Sequence, residues 1–460
     1  MWRYLALRKF GVIFAETIFL VCCGLAGYFF RFFEFPASSA GRYSIIGKAL
    51  LIAVIFQLSL HLNDIYSFQG ARLSMKFLRR LLQAVTLAVL VICALFYIIP
   101  NLTIGRGIFA YSLILSSLFI FFWHTTLCFY LRVRQPHINL LILGTNDLVR
   151  DTARKIHEHP ELGIKVIGFV EDNSSLVGTY IVNQQVIGTY EDLPQLVKTY
   201  GVNQIIVGLN DNRGKLPIKE LLDFKTRGIA IEDATAFYER ITGKIPVENL
   251  KPSWLVFNSG FDVSKGVFLR KRIISTLFSA ILLVLTSPIL LLAMLMIKLD
   301  SKGPIFYRQK RIGRNGRIFT LVKFRSMHQD AEKGTGPVWS AQDGDSRVTR
   351  VGRLLRRTRV DELPQIYNVL RGDMDMVGPR PERPFFVEQL SAEVPYYPLR
   401  HVVKPGITGW AQINYGYANT LEHTIEKLQY DLFYIKNMSW VLDAMIVFET
   451  VKTVLVRKGS

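Results

Sequence analysis

Ile273-Ile-Ser-Thr-Leu-Phe-Ser-Ala-Ile-Leu-Leu-Val-Leu-Thr-Ser287-Pro288-Ile-Leu-Leu-Leu-Ala-Met-Leu-Met-Ile297 lies between the basic triplet Arg270-Lys271-Arg272 and Lys298, and it decides the fold of the second half of the chain. The run is long enough to cross a bilayer, which takes about 20 apolar residues. Ser287 and Pro288 sit near its middle, where proline removes a backbone donor and bends a helix. Just beyond it, residues 302–359 carry 15 Lys and Arg against 4 Asp and Glu, a balance that opposes export. A helix over 273–297 that enters the membrane, breaks at Ser287-Pro288 and returns to the same face satisfies both facts. A kinked helix that spans the bilayer is the competing reading.

Upstream, apolar stretches at 11–30, 45–62, 81–99 and 108–131 each have roughly the length of a membrane crossing. Arg3, Arg8 and Lys9 precede the first, while Arg72, Lys76, Arg79 and Arg80 lie between the second and third. Arg132 and Arg134 follow the fourth. The loops on the other side carry Arg31, Arg42 and Lys48 in one case and Arg106 alone in the other. This asymmetry places the N-terminus and everything after Arg132 in the cytoplasm. The first apolar run is long and others follow it, so a retained membrane helix is expected rather than a cleaved signal peptide.

The 460-residue chain has a net charge of +20, yet it is 50% apolar and only 20% charged. A soluble nucleic-acid binder can be this basic but is not this apolar, so no nucleic-acid partner is expected. The combination fits a membrane protein whose aqueous part faces anionic headgroups and phosphate-bearing substrates. Cys22, Cys23, Cys93 and Cys128 all sit in apolar runs without metal-ligand spacing, so neither disulfides nor structural zinc are expected.

Residues 135–240 alternate between strand-like and helix-like segments. Asn139-Leu-Leu-Ile-Leu-Gly144 reads as a buried strand, followed by a helical pattern over 147–157. Residues 166–170 and 204–209 are further strand candidates, and Leu193–Tyr200 and 215–227 read as helices. Such alternation predicts a parallel α/β domain. A dinucleotide-binding turn needs three glycines after the first strand, and Gly144-Thr-Asn-Asp-Leu-Val149 supplies one. A degenerate Rossmann-like domain with a regulatory or structural role is therefore expected. His157 and His159 read as a solvated helix end rather than a metal site.

Beyond the long apolar run, 304–311 and 317–327 read as two strands joined through Gly313-Arg-Asn-Gly316, since Asn-Gly favours a hairpin turn. Lys323-Phe324-Arg325 puts two cations on one face of the second strand. The face is either a charged surface near lipid headgroups or a phosphate site. Next comes Arg353-Leu-Leu-Arg-Arg-Thr-Arg-Val-Asp361-Glu362-Leu-Pro364-Gln-Ile-Tyr-Asn-Val-Leu-Arg-Gly372. Pro364 suits the first turn of a helix and Gly372 its end. Asp361 and Glu362 then lie beside a helix N-terminus, just after Arg356, Arg357 and Arg359, where a carboxylate is expected to stay ionised. By itself such a pair is also an ordinary helix cap.

Two further segments accompany it. Val377-Gly-Pro-Arg380-Pro381-Glu-Arg383-Pro384 holds a cation on a backbone stiffened by prolines. Lys404-Pro-Gly-Ile-Thr-Gly-Trp410-Ala-Gln-Ile-Asn414 is rich in turns and runs into a short strand, and Trp410 suits either packing or stacking on a base. Helical patterns at 421–436 and 440–454 close the chain, the second amphipathic enough to lie on a membrane surface.

From about Lys271 onward the chain resembles the bacterial sugar transferases, the polyprenyl-phosphate hexose-1-phosphate transferases that initiate glycan assembly. The resemblance rests on Ser287-Pro288, Lys323-Phe-Arg-Ser-Met327, Asp361-Glu-Leu-Pro-Gln365, Gly378-Pro-Arg-Pro381 and Pro405-Gly-Ile-Thr-Gly-Trp410, in that order over roughly 190 residues. The four membrane helices and the α/β domain are similar to the large members that initiate exopolysaccharides. The stretch from Phe237 through Pro252-Ser253-Trp254 is similar to the linker of the exosortase-associated branch.

The resemblance implies Asp361 as nucleophile, Glu362 as a holder of Mg²⁺, and Lys323, Arg325, Arg356 and Arg380 as phosphate contacts. It also implies a nucleotide-diphosphate sugar, with a UDP-hexose at family level, and a polyprenyl phosphate as substrates. The expected setting is the bacterial inner membrane, with the catalytic part on its cytoplasmic face.

The expected architecture is a four-helix transmembrane domain (1–134), a Rossmann-like domain (135–240), a linker (241–270) and an α+β catalytic domain with a re-entrant helix (271–460). A homo-oligomer is compatible with the sequence but not required by it. Two other functions compete. A membrane nucleotide-sugar dehydratase or epimerase would need a glycine-rich turn and a Tyr-x-x-x-Lys pair that 137–240 lack. A non-catalytic scaffold would use the basic face to recruit lipids or partners.

Overall fold

A computed structural model describes residues 2–33, 39–66, 75–102, 105–133, 138–208, 216–249, 261, 265–329, 347–415 and 420–455. The chain forms two compact units, residues 3–237 and 238–460. Arg72, Arg134, Leu209, Lys215, Pro252, Ser253 and Trp254, which entered the expectations above, lie outside the described residues.

The first unit opens with α1 (Trp2–Phe32), α2 (Ser39–Leu62), α3 (Met75–Ile98) and α4 (Arg106–Val133). Each contains a segment long and apolar enough to cross a membrane. Their packing side gathers Leu20, Phe56, Leu60, Ala88, Ile92 and Ile120, all nearly inaccessible, while Phe14, Leu90 and Phe122 point outward. Close approach depends on Gly27, where a Cβ would stand 2.3 Å from Ser112 Oγ and 2.8 Å from Ser112 N. A polar knot lies inside this apolar packing. Tyr66 donates to Glu16 at 2.5 Å, and His124 Nε2 lies 3.1 Å from the same carboxylate.

The α/β part comprises β1 (Ile138–Leu143), α5 (Asp147–Glu158), β2 (Ile164–Val170), β3 (Tyr180–Ile181), β4 (Gln184–Gly188), α6 (Leu193–Tyr200), β5 (Gln204–Val207), α7 (Ile218–Thr226), β6 (Ala230–Asp233) and α8 (Ala234–Thr242). The sheet order is β3-β4-β2-β1-β5-β6, parallel throughout except for the β3/β4 pair. Leu140 to Leu143 on β1 are fully buried, as expected of a central parallel strand covered on both faces. The strand order reverses beside β1, the place where doubly wound sheets bind ligands. Here that crevice is bridged by the protein itself. Gly144 has φ +97°, a Cβ on it would meet Gly208 O at 2.3 Å, and Asn146 Nδ2 donates to the same carbonyl at 3.0 Å. The lone glycine thus serves an approach of backbone to backbone.

The second unit begins with α9 (Lys265–Asp300), followed by β7 (Phe306–Ile312) and β8 (Ile318–Phe324). Next come α10 (Arg350–Arg357), a short 3₁₀ turn (Val360–Glu362), α11 (Gln365–Arg371) and β9 (Asp375–Val377). The chain closes with α12 (Pro384–Glu393), β10 (Gly406–Thr408), α13 (Trp410–Asn414), α14 (Leu421–Lys436) and α15 (Trp440–Leu455). β7 and β8 form an antiparallel hairpin, with Asn315 at φ +55° and Gly316 at φ +74° in its turn, as Asn-Gly predicts.

Several expectations are corrected. Helical structure is not interrupted at Ser287-Pro288, since α9 runs unbroken through Pro288. Proline's missing N–H would have served the carbonyl four residues back, Val284 O. Ser287 Oγ donates to that oxygen instead, at 2.8 Å, so the group stays satisfied and the helix continues. β8 ends at Phe324 rather than near Met327. The residues from Trp410 onward form a helix, with the strand preceding it at 406–408. Trp410 is core: it is 1% exposed, stacks on Phe433 and donates to Gly243 O at 2.9 Å. The apolar face of α15 is used within the unit, where Leu442, Met445 and Ile446 are buried and Thr450 bonds Thr408.

Candidate active site

Three segments converge in the second unit: the end of β8, the turn between α10 and α11, and the proline-flanked turn after β9. Thr349 starts α10 by accepting from Gly352 N at 2.9 Å. Arg359 ends it in the left-handed region at φ +57°, which redirects the chain into the turn bearing Asp361 and Glu362. Val360 and Leu363 on either side pack against Leu290, Ala293, Ile297 and Phe324. Pro364 then caps α11, and Gly372 closes it at φ +104°. Both carboxylates are consequently buried, Asp361 at 8% and Glu362 at 9% exposure.

Glu362 is the focus of the cations. Lys323 Nζ lies 2.9 Å and Arg380 Nη2 2.6 Å from its Oε1, with Arg380 Nη1 at 3.4 Å from Oε2. Arg359 Nη1 stands 3.8 Å away. Burial pushes the Glu362 carboxyl up, but Arg380 and Lys323 outweigh it and hold it well below the ordinary range. Lys323 is itself drawn below its ordinary value by burial, with Glu362 opposing. Converging cations at these distances favour a fully ionised Glu362.

Asp361 behaves differently from its neighbour. Burial first, and the charge of Glu362 second, push its carboxyl up to about 6, against the pull of Lys323, Arg356 and Arg359. The flanking arginines do not fully compensate for lost hydration, although a carboxyl at about 6 is still mostly ionised at neutral pH. Its Oδ1 is buried without a hydrogen-bond partner. Arg356 is steadied by donating Nε to Ser326 Oγ at 2.9 Å.

Lys323, Arg356, Asp361, Glu362 and Arg380 are thus brought together, but Arg325 is not. It lies beyond the end of β8, with Nη1 on Lys302 O and Nη2 on Ser301 O, both at 2.8 Å. Gly303, at φ +124°, leaves it room, since a Cβ there would stand 2.0 Å from Arg325 Nη1. Arg325 anchors the end of α9. Ser287 and Pro288 belong to that helix and not to the cluster.

Sequence reasoning did not assign Arg359 to Glu362, and it missed Asn368. The Asn368 side chain accepts from Val322 N at 3.0 Å and donates to Thr320 O at 2.8 Å, tying β8 to α11. No local pattern marks such a contact.

The donor set suits a divalent cation that draws most of its coordination from water and a substrate diphosphate, as Mg²⁺ does with one or two carboxylates. Asp361 Oδ1 is a buried acceptor lacking a donor, beside a second carboxylate. Among the described residues no three His, Cys, Asp or Glu side chains gather, so an all-protein cage is not formed there.

Residues 267–457 match the family described as bacterial sugar transferase, and residues 61–222 match one described as a CoA-binding domain. The chain is 44% identical over 223 residues to UDP-N-acetylgalactosamine-undecaprenyl-phosphate N-acetylgalactosaminephosphotransferase of Aeromonas hydrophila, a match covering 48% of this chain and 51% of that protein. It is 45% identical over 193 residues to UDP-glucose:undecaprenyl-phosphate glucose-1-phosphate transferase of Caulobacter vibrioides, covering 41% of this chain and 71% of the relative. The Escherichia coli protein of the same name matches at 44% over 194 residues, 42% of this chain and 41% of that one. The chain thus spans about half the length of the first of these relatives and less than half of the last.

Proposed function

The chain belongs to the bacterial sugar transferase family, and from that premise we propose that it moves a sugar-1-phosphate from a nucleotide-diphosphate sugar, a UDP-hexose, onto undecaprenyl phosphate. The nucleoside monophosphate is released, and the product lipid initiates an exopolysaccharide or related glycan. The observation that carries this reading is the division of labour between adjacent carboxylates. Glu362 takes the cations, which leaves an Asp361 oxygen buried and unpartnered.

In the proposed course, an Asp361 carboxylate oxygen attacks the phosphorus that bears the sugar. The bond from that phosphorus to the nucleoside monophosphate breaks, and the departing phosphate keeps the electron pair. An oxygen of the lipid phosphate then attacks the same phosphorus, the aspartyl bond breaks and the carboxylate is restored. Lys323, Arg356 and Arg380 meet the phosphate oxygens, and their preset positions supply most of what phosphoryl transfer requires. Glu362 would help hold Mg²⁺, which when bound neutralises diphosphate charge.

A lipid acceptor needs an aqueous site at headgroup level, and a re-entrant α9 provides it. This is supported by where the two ends of α9 attach. Near its start, Phe268 stacks under Arg314 in the hairpin turn and Arg272 donates to Leu370 O. Near its end, Leu290, Ala293 and Ile297 pack with Phe306 and Phe324 at the open end of the same hairpin. A seven-residue strand covers roughly 24 Å, whereas a straight helix from 268 to 297 covers about 43 Å. A bend at the proline would accommodate the difference and return both ends to one cytoplasmic face of the inner membrane. No residue from 280 to 289 is buried, which suits the part immersed in lipid.

The test is UMP release by the protein in nanodiscs supplied with Mg²⁺, undecaprenyl phosphate and a panel of UDP-sugars. One sugar should support turnover and Asp361→Asn should abolish it. Silence with every sugar, or an Asp361→Asn variant as active as the parent, overturns the reading.

A further inference from the structure

The turn that presents Arg380 is tied down at several points of its backbone. Gly378 N donates to Thr408 O at 2.9 Å, Gly406 N to Pro379 O at 3.0 Å, and Ile312 N to Glu382 O at 3.0 Å. Pro379 and Pro381 fix φ on both sides of Arg380. Two further carbonyls are each met by an arginine. Arg311 Nη1 donates to Pro381 O at 3.0 Å, and Arg400 Nη2 donates to Arg380 O at 3.0 Å.

Arg400 is a peculiar residue to find in that place. It is 6% exposed, and its guanidinium is held by Asp431 Oδ2 at 2.7 Å and by the Tyr397 hydroxyl at 2.6 Å. Asp431 and Tyr397 are themselves buried at 2% and 1% exposure. A buried ion pair contributes little net stability, because desolvation offsets the attraction. Apolar side chains would fill this space as well. What they could not do is aim a rigid donor fork at three acceptors at once, which is the property that separates arginine from lysine. Of those acceptors, Asp431 and Tyr397 hold the fork, and the third belongs to the residue that grips Glu362.

We infer that Arg400, held by Asp431 and Tyr397, is a positioning residue that fixes the backbone of Arg380 and hence the direction in which its guanidinium meets Glu362. On the function proposed above, it also sets where Arg380 meets the substrate phosphate. Loss of the bond to Arg380 O lets the 380–381 peptide rotate. Misplacement of a catalytic group by about 1 Å can lower the rate on the order of a hundredfold.

The test uses the full chain in nanodiscs with Arg400→Lys, Arg400→Met, Asp431→Asn and Tyr397→Phe. Amide hydrogen exchange across residues 376–383 should rise in every variant, while exchange in β1 of the first unit stays at the parent level. With the sugar that supports turnover, kcat/KM should fall roughly 10- to 100-fold in Arg400→Met and less in Tyr397→Phe. In an Arg380→Met background the same changes should have little further effect, since coupled residues are not additive. Asp431→Asn and Tyr397→Phe are near-isosteric, so they serve if Arg400→Met does not fold. Folded variants with parental exchange over 376–383, or losses that multiply with Arg380→Met, overturn the inference. A parent protein that releases no UMP would count against the proposed function, while the exchange result would still judge the role of Arg400.

Discussion

The crevice beside β1 and the pocket around Glu362 are both places where a phosphate-bearing ligand could be sought, and they are built on opposite plans. The crevice lies at the reversal of a doubly wound sheet, the favoured ligand site of that fold. Yet Asn146 and Gly208 bridge it, Asp147 opens the adjoining helix, and Glu171 accepts from Thr145 at 2.8 Å. Among the described residues, several of its polar groups are bonded to one another. The second site is a cluster of buried charges. It gathers Lys323, Arg356, Arg359 and Arg380 around two carboxylates and leaves one oxygen unsatisfied. A fold can supply a location, but chemistry depends on which polar groups remain unsatisfied after folding.

The comparison breaks most decisively at Glu362. Glu362→Gln removes the carboxylate on which Lys323 and Arg380 converge, and turnover should fall by about 10²–10³-fold. Leaving buried cations without their partner should also cost about 3–5 kcal/mol, read as a lower unfolding midpoint in detergent. Unchanged turnover would mean that the charge cluster is only structural.

The raised carboxyl of Asp361 sharpens the contrast through pH. In the proposed course the attacking form is the carboxylate, so kcat/KM should climb roughly tenfold per pH unit below about 6 and level off above it. Stability moves the other way. A carboxyl raised above its unfolded value is most favourable below that value, and the contribution is lost as pH rises through about 6. Asp361→Asn should therefore be inactive at every pH, yet gain in unfolding midpoint over the parent between pH 5 and 7. A parent profile that is flat across this range would count against Asp361 as the nucleophile.

Smaller effects belong to the crevice. Gly144→Ala forces a side chain into the left-handed region and against Gly208 O. It should destabilise the α/β part by about 1–3 kcal/mol, with the turnover of folded protein unchanged. Asn146→Ala removes a cap and a bridge for about 1 kcal/mol, again without effect on turnover. Lost turnover in folded Asn146→Ala would show that the crevice serves the reaction after all.

Much of this arrangement can be read along the chain. The 2.0-residue period of β8, the Asn-Gly turn, Pro364 before α11 and Gly372 after it are local signals, because backbone preferences act over a few neighbours. Arg356, Asp361, Glu362, Lys323 and Arg380 were all singled out in this way. Arg325 misled for the same reason. It is two residues from Lys323, and only the early end of β8 turns it toward Ser301 and Lys302. Ser287-Pro288 misled in the reverse sense, since a proline is a local breaker, while the hydroxyl that repairs the loss acts one turn away.

By itself, the sequence determined the membrane helices, the α/β pattern, the motifs and the identity of the charged groups, because these follow from hydropathy, period and short-range turn chemistry. Only the tertiary structure decided how the charges are shared. Which carboxylate is satisfied and which is left bare depends on Lys323, 39 residues before Glu362, and on Arg380, 18 residues after it. That Arg400 and Asp431 meet beneath Arg380 depends on contacts across 20 and 31 residues. Burial and long-range hydrogen bonds set ionisation and direction, and neither is encoded by any window of neighbouring residues.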